Sequence, residues 1–536
     1  MTHITGQTSY LIGVDYGSDS VRAILVDAVS GERICDSEFE YPRWKEGRYS
    51  DSSLKMFRHS PLDYIEGLEA VLKTLVSACP APEKIAAISI DTTASTPCLV
   101  DSSCRPLALM PGHKENPDAM FVLWKDHSAE SEADEINRAI EEYGCEYSSH
   151  SGGYYSAECF WAKVLKLLRN SPHLQKDAFT AIELCDWIPA LLTGVERVED
   201  LCSSLCAAGS KKMWAEEWGG YPPVDFFSKI DYRLSNIVKN LPSEVFGSDK
   251  EAGNLSKEWA ALLGLSENVK IGVGNIDSHS GAVGAGVSKG TMVMNLGTSA
   301  CFMAVMPSLE FGKGIVEGIF GQVEGSIIPG MTGFEAGMSA FGDIFAWLKR
   351  TLSCASGEKQ EEDILKRLAR EASELKINER TLIATDYFNG RRSPRPDSSL
   401  TGSLSGLTLG TKPAEIYYAL AEAAAFGSRA IIEHFKNNGI EINKVVAVGG
   451  IAQKSPFIMQ LISDVISAEI LVSDCNQSCA LGAAINAAVV AGLYPDVPQA
   501  QKSFCPQASF TYFPDSEKRE ILNRRYCKYL DITKLK

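Results

Sequence analysis

Residues 11–26 read LIGVDYGSDSVRAILV, an order that predicts a strand, a glycine-containing turn and a second strand. Residues 290–305 read GTMVMNLGTSACFMAV and predict the same arrangement. In each turn a glycine, Gly17 or Gly297, is followed by small hydroxyl residues. A strand–turn–strand unit that returns in the second half of the chain indicates a duplicated architecture.

Each predicted hairpin is followed by a helix and then by a strand. Apolar residues recur at helical spacing over 62–78 in the first half and over 413–435 in the second. Short runs rich in β-forming residues follow at 84–96 and 444–455. Helices that alternate with strands in two similar halves predict two α/β domains with a cleft between them.

The composition limits the classes of partner. The chain of 536 residues is long enough for two large domains. It carries 52 Lys and Arg against 68 Asp and Glu, a formal net charge of -16, so nucleic acid and anionic membranes are not expected partners. The N-terminus lacks the basic and apolar regions of a signal peptide. The apolar stretch 480–495 is short and interrupted by Asn486, which favours a buried helix over a membrane span.

The 15 cysteines are expected to be reduced thiols, because no export signal accompanies them. Two pairs invite a metal interpretation, namely Cys202 with Cys206 and Cys475 with Cys479. Three residues separate the members of each pair, whereas zinc sites usually have two, and no histidine pair accompanies them. A structural role for these thiols is therefore favoured over zinc, and a cytoplasmic protein is expected.

Glycine-hydroxyl turns in equivalent positions of the two halves predict a pair of phosphate-binding turns. Glycine lets backbone N–H groups approach phosphate oxygens, and the hydroxyl groups add donors. The chain has no GxxxxGK(S/T) motif and no well-placed GxGxxG motif, which disfavours P-loop and Rossmann folds. At 447–455 a strand is followed by Gly449 and Gly450, where either a flat base or a ligand-free helix N-terminal loop fits.

Asp277 lies among small residues in VGNIDSHSG, residues 273–281. The local sequence leaves three roles open: a metal ligand together with His279, a proton acceptor for a substrate, or a residue that shapes a turn. No further ligand cluster at metal spacing accompanies the pair. A metal-dependent hydrolase is therefore the weaker alternative.

These features together resemble the FGGY carbohydrate kinases, a family of the actin/hexokinase/heat-shock ATPase superfamily. The turns at 15–22 and 295–299 are similar to its two phosphate motifs, 447–455 to its adenosine motif and 480–488 to its connecting helix. Other segments that carry the resemblance are DTTASTP (91–97), LWKDH (123–127), GGYYSAECFWAK (152–163), CDWIPALLTG (185–194), AAGSKKMW (207–214), EAGMSAFGDIFAW (335–347) and DYFNGRRSP (386–394).

The resemblance covers essentially the whole chain, roughly 10–500. It implies an α/β fold of two duplicated actin-like (ribonuclease H-like) ATPase domains with an interdomain catalytic cleft. The implied sugar-binding domain spans 9–286 and the implied nucleotide-binding domain spans 287–536.

The resemblance also implies an activity. The expected reaction is the cytoplasmic, ATP-dependent phosphorylation of L-ribulose to L-ribulose 5-phosphate in L-arabinose catabolism. The implied cofactors are ATP and Mg²⁺, the implied partner is the small-molecule sugar, and a homodimer is a candidate assembly. The alternative is a kinase for another ketopentose or pentitol, such as D-ribulose, xylulose or ribitol. A non-catalytic regulator on the same fold is disfavoured, because Asp277 and both phosphate turns are present.

Individual residues receive roles from the same resemblance. Asp277 is implied as the general base that accepts the proton of a sugar hydroxyl, and also as a sugar ligand. The other implied sugar contacts are the backbone of Ala94, Trp124, Lys211 and Glu335. The implied nucleotide contacts are Gly17, Ser18, Gly297, Thr298, Gly342, Gly450 and Lys454. Asp15 is implied to hold Mg²⁺ through water.

Several of these residues also have simpler interpretations. Glu335 can be a charge at a helix N-terminus, Lys211 a solvated surface lysine and Trp124 a core residue. His279 is expected to be a hydrogen-bonded histidine and not a ligand. The charged stretch 356–380 predicts a solvated helix on the second domain, which needs no functional interpretation.

Overall fold

The computed structural model describes residues 9–312, 314–356, 363–475 and 477–535. These residues form two compact units. The first unit extends to Gly284 and also includes Gln322–Gly333 and Gln477–Cys505. The second contains the described residues of 285–321, 334–475 and 506–535. The first break between the units falls close to the predicted boundary at 286/287, whereas the return of two later segments to the first unit was not predicted.

The first unit is built on a sheet around the strand Tyr10–Tyr16. This strand pairs antiparallel with Ser20–Asp27 and parallel with Ile85–Thr92, as the hairpin and the later strand pattern predict. The order across the sheet is Glu251–Asn254, Lys270–Gly272, Ile85–Thr92, Tyr10–Tyr16, Ser20–Asp27 and Arg33–Glu40, with Asn275–Ile276 also paired to Ile85–Thr92. Shorter strands pair outside it, namely Ser50–Asp51, Met56–His59 and Phe121–Val122; Pro97–Val100 and Thr180–Glu183; and Ser203–Ser204 and Val245–Phe246.

Helix Pro61–Ala78 covers one face of this sheet. Its start is set by Ser60, whose Oγ accepts the N–H of Leu62 at 3.3 Å, and by a proline in the first turn. Its apolar residues recur at helical spacing and are fully buried: Leu68, Val71, Leu72 and Leu75. Burying each such side chain contributes about 1.5–3 kcal/mol, so this face determines where the helix docks.

Helix Ser478–Val490 packs against the strand Tyr10–Tyr16 within the same unit. The approach is so close that a Cβ at Gly13 would lie 1.9 Å from the carbonyl oxygen of Ala480, which excludes any side chain there. The prediction of a buried helix within 480–495 is confirmed. Among the residues that the structure describes, no helix is both long and apolar enough to cross a membrane.

The second sheet repeats the pattern of the first around the strand Gly290–Leu296. This strand pairs antiparallel with Ala300–Pro307 and parallel with Ile442–Val448. The order across the sheet is Gly321–Glu324, Met331–Met338, Ala300–Pro307, Gly290–Leu296, Ile442–Val448, Ile470–Ser473 and Ala508–Tyr512. A separate pair is formed by Ile383–Ala384 and Leu404–Ser405. The predicted duplication of the hairpin and its parallel neighbour is confirmed.

The remaining helices surround the two sheets. In the first unit they are Pro42–Lys45, Glu130–Tyr143, Phe160–Asn170, Leu184–Thr193, Leu205–Lys211, Val224–Ile230, Tyr232–Lys239, Lys257–Leu263, Asp277–Gly284 and Val497–Phe504. In the second unit they are Ser308–Phe311, Gly342–Ser356, Ile364–Ser373, Pro413–Asn437, Gly450–Lys454, Pro456–Ile466 and Arg519–Thr533. The long helix Pro413–Asn437 confirms the helical pattern predicted over 413–435.

The charged stretch 356–380 contains the helix Ile364–Ser373, and residues 357–362 lie outside the described residues. The expectation of a solvated helix is wrong in part. Ile364, Leu368 and Ala372 are buried against the core, while the charged residues occupy the other side. Apolar residues four apart form a stripe even in a charged sequence, and that stripe packs inward.

Candidate active site

Two buried carboxylates meet at the end of two parallel strands in the first unit. Asp15 lies near the end of Tyr10–Tyr16, and its register partner on Ile85–Thr92 is Asp91. Because register partners on parallel strands point to the same face, the two side chains lie side by side. Asp15 is 5% exposed and Asp91 is fully buried. Asp91 carries no role in the sequence analysis, so the structure adds it to the site.

The buried environment of Asp15 and Asp91 favours protonation of these carboxylates or binding of a cation beside them. Burial raises the pKa of Asp15, and Arg22, whose Nη1 lies 3.9 Å from Asp15 Oδ2, opposes that rise. Burial raises the pKa of Asp91 well above its usual range, and the charges of Asp15 and Asp277 add to the effect. Neither carboxylate oxygen of Asp91 has a hydrogen-bond partner among the described residues.

The donor set at this point suits a hard divalent cation. Ligand atoms of Asp15, Asp91 and Cys479 lie within 4.8 Å of one another. Carboxylate oxygens are the ligands that Mg²⁺ prefers, whereas a thiol is not. The two aspartates therefore fit the Mg²⁺ site expected from the sequence, with Asp91 as a second carboxylate beside Asp15.

Asp277 begins the helix Asp277–Gly284, directly after the short strand Asn275–Ile276. That strand pairs parallel with Ile85–Thr92, and Asn275 is the register partner of Asp91. The Asp277 carboxylate is partly exposed, and its Oδ1 accepts the N–H of Ser278 at 2.6 Å. The partly exposed carboxylate of Asp277 thus follows a strand whose parallel neighbour bears the buried Asp91. This is a suitable position for a group that receives a proton from a bound molecule.

His279 is buried and contacts other protein groups. It is 2% exposed, and its Nδ1 lies 2.8 Å from the Sγ of Cys206 and 3.4 Å from the carbonyl oxygen of Ser326. The expectation of a hydrogen-bonded histidine is confirmed. In the described part of the chain, neither Asp277 nor His279 belongs to a group of side chains arranged to hold a metal.

The structure gives the two cysteine pairs different surroundings. Cys206 contacts His279, whereas Cys202 lies 3.8 Å from the carbonyl oxygen of Ala252, so the two sulfurs have separate partners. Of the second pair, only Cys479 lies beside potential metal ligands. The cysteines whose side chains the structure describes form no disulfide bond with one another.

The first phosphate turn and Trp124 are in direct contact. Gly17 donates its N–H to the carbonyl oxygen of Ser20 at 3.0 Å, which closes the turn. Trp124 donates its Nε1–H to the Oγ of Ser18 at 2.8 Å. Trp124 is half-buried, so the interpretation as a plain core residue is wrong. Its indole tethers the loop after Phe121–Val122 to the turn.

Lys211 is buried and Ala94 is half-buried in the first unit. Lys211 ends the helix Leu205–Lys211 and is only 6% exposed, which contradicts the interpretation as a solvated surface lysine. Ala94 lies in the loop after Ile85–Thr92, just beyond Asp91. The Ala94–Ser95 peptide bond is cis.

The second phosphate turn is closed by the start of helix Gly342–Ser356. Gly342 donates its N–H to the carbonyl oxygen of Gly297 at 3.0 Å, and Asp343 donates to the carbonyl oxygen of Thr298 at 3.2 Å. A Cβ at Gly342 would lie 2.6 Å from the Gly297 oxygen, so only glycine permits this approach. The structure therefore brings Gly297, Thr298 and Gly342 together, and their contact with a nucleotide stays a prediction.

The double glycine after Ile442–Val448 lies beside the same turn. A Cβ at Gly449 would approach the carbonyl oxygen of Leu296 at 2.7 Å, so the loop touches the hairpin strand. Gly450 starts the short helix Gly450–Lys454 and faces open space, since a Cβ there would meet nothing within 4 Å. Lys454 is exposed at the end of that helix.

Glu335 lies in the middle of the strand Met331–Met338 and is 6% exposed. The interpretation as a helix N-terminal charge is therefore wrong. A buried carboxylate on a strand needs polar company to offset its desolvation. A sugar contact through Glu335 stays a prediction.

The comparisons with known proteins agree with this arrangement. The description of the N-terminal domain of the FGGY family of carbohydrate kinases matches residues 10–284, and that of its C-terminal domain matches residues 292–491. Together they cover most of the chain. The protein belongs to the FGGY family of carbohydrate kinases.

Similar proteins extend over nearly the full length. A ribulokinase of Vibrio parahaemolyticus is 40% identical, covering 99% of this chain and 97% of its own. A ribulokinase of Halalkalibacterium halodurans is 36% identical, covering 98% of this chain and 94% of its own.

Solved structures show the same fold at low identity. The xylulose kinase of Rhodospirillum rubrum superposes with a TM-score of 0.80 at 19% identity, covering 98% of each chain. The glycerol kinase of Plasmodium falciparum with ADP superposes with a TM-score of 0.78 at 18% identity, covering 98% of each chain. The two-domain sugar kinase fold is thereby established.

Proposed function

We propose that the protein transfers the γ-phosphoryl group of ATP to L-ribulose, giving L-ribulose 5-phosphate and ADP. The family membership supports a sugar kinase, and relatives named ribulokinase over nearly the full length support this sugar. The observation that carries the chemistry is the position of Asp277, a partly exposed carboxylate that directly follows the strand Asn275–Ile276, whose parallel neighbour bears the buried Asp91.

Asp277 acts as the general base in this proposal. A sugar hydroxyl is a weak nucleophile, and a carboxylate within hydrogen-bond reach accepts its proton as the phosphoryl group transfers. The charge of Asp277 helps to raise the pKa of Asp91, so the proposed base lies within electrostatic reach of the buried pair.

Three groups of the first unit hold the sugar in this proposal. Lys211 offers ammonium donors, the Ala94 backbone offers a peptide group and Trp124 offers an apolar face. A neutral ketose has hydroxyl groups in a fixed order, and a site with preset donors and acceptors rejects sugars that leave these groups unpaired. Glu335 is proposed as a further acceptor.

The nucleotide is bound by backbone groups in this proposal. The turns at Gly17-Ser18 and Gly297-Thr298 present N–H and hydroxyl donors suited to phosphate oxygens. Gly450 leaves room for the adenosine, and Lys454 adds a positive charge. Asp15 and Asp91 would hold Mg²⁺, which neutralises phosphate charge when it is bound.

The test is ADP release measured with ATP and a panel of sugars: L-ribulose, D-ribulose, L- and D-xylulose and ribitol. We expect the highest kcat/KM with L-ribulose and a phosphorylated product. A higher kcat/KM with another ketopentose or pentitol would overturn the choice of sugar but not the class of reaction. ATP binding without ADP release on any sugar would instead support a non-catalytic regulator.

A further inference from the structure

The segment 152–163 carries part of the family resemblance, yet none of its residues has a role in the proposed site. It leads into the helix Phe160–Asn170, where Lys163 is 1% exposed. The Lys163 Nζ donates to the carbonyl oxygen of Ser95 at 2.6 Å, of Leu123 at 2.9 Å and of Trp124 at 3.3 Å. An ammonium group has three donors, so every one of them is used on backbone.

The three carbonyl groups belong to the two loops that carry proposed sugar contacts. Ser95 follows Ala94, and the other loop contains Trp124 itself. These loops come after the separate strands Ile85–Thr92 and Phe121–Val122. Lys163 therefore joins two loops that share no continuous backbone.

Lys163 binds a carbonyl oxygen of the first loop, and Glu183 binds hydrogen-bond donors of the same loop. Its Oε2 accepts the N–H of Thr96 at 2.6 Å, and its carboxylate also accepts the hydroxyl of Ser95. Glu183 is fully buried at the end of Thr180–Glu183. The loop at 94–96 is thus fixed by a buried cation at a carbonyl group and by a buried anion at an amide and a hydroxyl.

Tyr155 fixes a third proposed sugar contact. It is fully buried, its hydroxyl donates to the carbonyl oxygen of Lys211 at 2.6 Å, and the same hydroxyl accepts the N–H of Trp161 at 3.0 Å. Trp161 also donates its Nε1–H to the carbonyl oxygen of Lys212 at 2.8 Å. The end of the helix that bears Lys211 is therefore anchored to the same segment.

A buried ammonium group is costly, because its desolvation is offset only if all its donors are satisfied. Burial lowers the pKa of Lys163 to about 7, while the negative charges of Glu183 and Glu158 favour its charged form and Arg58 opposes it. An apolar side chain of the same length would pack there without this penalty. This buried amine lies where two loops of the proposed site come together.

We propose that Lys163 and Tyr155 are positioning residues for the sugar, acting through the backbone of Ser95, Trp124 and Lys211. They fix the spacing of the groups that recognise a short polyhydroxy ketose and do not touch its reacting atoms. This inference rests on the proposed function, since Ala94, Trp124 and Lys211 are sugar contacts only in that proposal. Loss of either residue loosens sugar recognition and leaves the nucleotide-binding glycines of the second unit unchanged.

The test compares Lys163→Met with Lys166→Met, which makes the same substitution one turn further along the helix. Lys166 pairs with Glu132 at 3.7 Å. We expect Lys163→Met to raise the KM for L-ribulose about 10- to 100-fold, because three hydrogen bonds to a charged group are lost. The KM for ATP should stay within about twofold, and Lys166→Met should behave as wild type.

Tyr155→Phe keeps the inference testable if Lys163→Met does not fold. It removes one hydroxyl and leaves the ring in place, so we expect the KM for L-ribulose to rise about 2- to 10-fold with little change in thermal unfolding. An unchanged sugar KM in folded Lys163→Met, or in Tyr155→Phe where Lys163→Met does not fold, would overturn the inference. Equal rises of the sugar and ATP KM values would do so as well, since they would indicate a general structural role.

The pH dependence gives a readout that a purely structural role does not move. Below a pH of about 7 Lys163 is an ammonium with three donors, and above it the neutral amine has two. We expect the wild-type KM for L-ribulose to rise as the pH is raised through this range, and the rise to be absent in Lys163→Met. Parallel profiles would count against Lys163. A wild type inactive on every sugar would refute the proposed function first, and this inference with it.

Discussion

The two hairpins share a backbone and differ in charge. Asp15 precedes the glycine of the first turn by two residues, and Asn295 holds the same place before Gly297. On the neighbouring parallel strand the partner of Asp15 is Asp91, whereas the partner of Asn295 is Val448. One turn therefore lies beside two buried carboxylates and the other beside an amide and an apolar side chain.

The difference shows what duplication preserves. The hairpin, its glycine and the parallel neighbour recur because they are set by strand pairing and by turns that need glycine. The side chains at the strand ends do not affect that pairing, so each copy can carry its own chemistry. In the proposed function, the first copy binds the cation and accepts the proton. The second copy donates hydrogen bonds from uncharged groups to the phosphate.

The largest effect on activity is expected at Asp277, the proposed base in the first unit. Asp277→Asn keeps the shape of the side chain but cannot accept a proton, so we expect kcat to fall by ~10²–10⁴ while ATP affinity changes little. Steady-state kinetics and ATP titration measure this. Asp225→Asn, an exposed change on the helix Val224–Ile230, is the control and should be silent. If His279→Ala proves as damaging as Asp277→Asn, the base assignment gives way to a metal-ligand role.

The next two variants exchange the residues that precede the two turns, Asp15 and Asn295. Asp15→Asn gives the first turn the residue of the second, and we expect Mn²⁺ binding, used as a probe for Mg²⁺, to weaken roughly 10- to 100-fold. Calorimetry with Mn²⁺ alone measures this without turnover.

The reciprocal change, Asn295→Asp, places a negative charge beside the second turn. We expect the KM for ATP to rise roughly tenfold or more from repulsion of phosphate, with unaltered Mn²⁺ binding. If Asp15→Asn and Asn295→Asp changed Mn²⁺ binding and the KM for ATP in the same way, the two hairpins would not differ in function.

A smaller effect is expected at the open glycine of the second unit. Gly450→Val fills space that no protein atom occupies, so the fold should tolerate it. We expect the KM for ATP to rise about tenfold, or ~1.4 kcal/mol, and the KM for L-ribulose to change little. Gly410→Val, in an exposed loop where a Cβ has only an ordinary contact, is the matched control. A rise in both KM values by the same factor would place the adenosine elsewhere.

The smallest effect is expected for Lys454→Ala. Lys454 is exposed, and charge pairs in water are worth only about 0.2–1 kcal/mol, so we expect the KM for ATP to rise about two- to fivefold. The rise should shrink when the salt concentration is increased, because salt screens exposed charges. An effect independent of salt would indicate that Lys454 acts through packing and not through its charge.

Much of the fold could be predicted from local patterns. The hairpins, the helices at 61–78 and 413–437 and the buried helix within 480–495 all follow from residue periodicity and glycine placement. The stripe of Ile364, Leu368 and Ala372 was overlooked because the surrounding charges concealed its spacing.

The site was predictable only in part. Asp277 stands out among small residues, but Asp91 is one of several polar residues in DTTAST with no local cue. Only the register of two strands, far apart in sequence, places it beside Asp15. The role of Lys163 was likewise hidden, because its three partners are backbone carbonyl groups and leave no trace in residue type.

The first unit includes Gln477–Cys505, a segment that is translated after most of the second unit. The strand Tyr10–Tyr16 is translated long before the helix that packs against Gly13, which is made only at Ser478–Val490. Domains made early usually fold as soon as they emerge. Here the first unit has to wait, with part of its sheet uncovered, until most of the second has been translated. A fragment that stops at residue 286 should consequently be prone to aggregate, and adding the peptide 477–505 in trans should rescue its solubility.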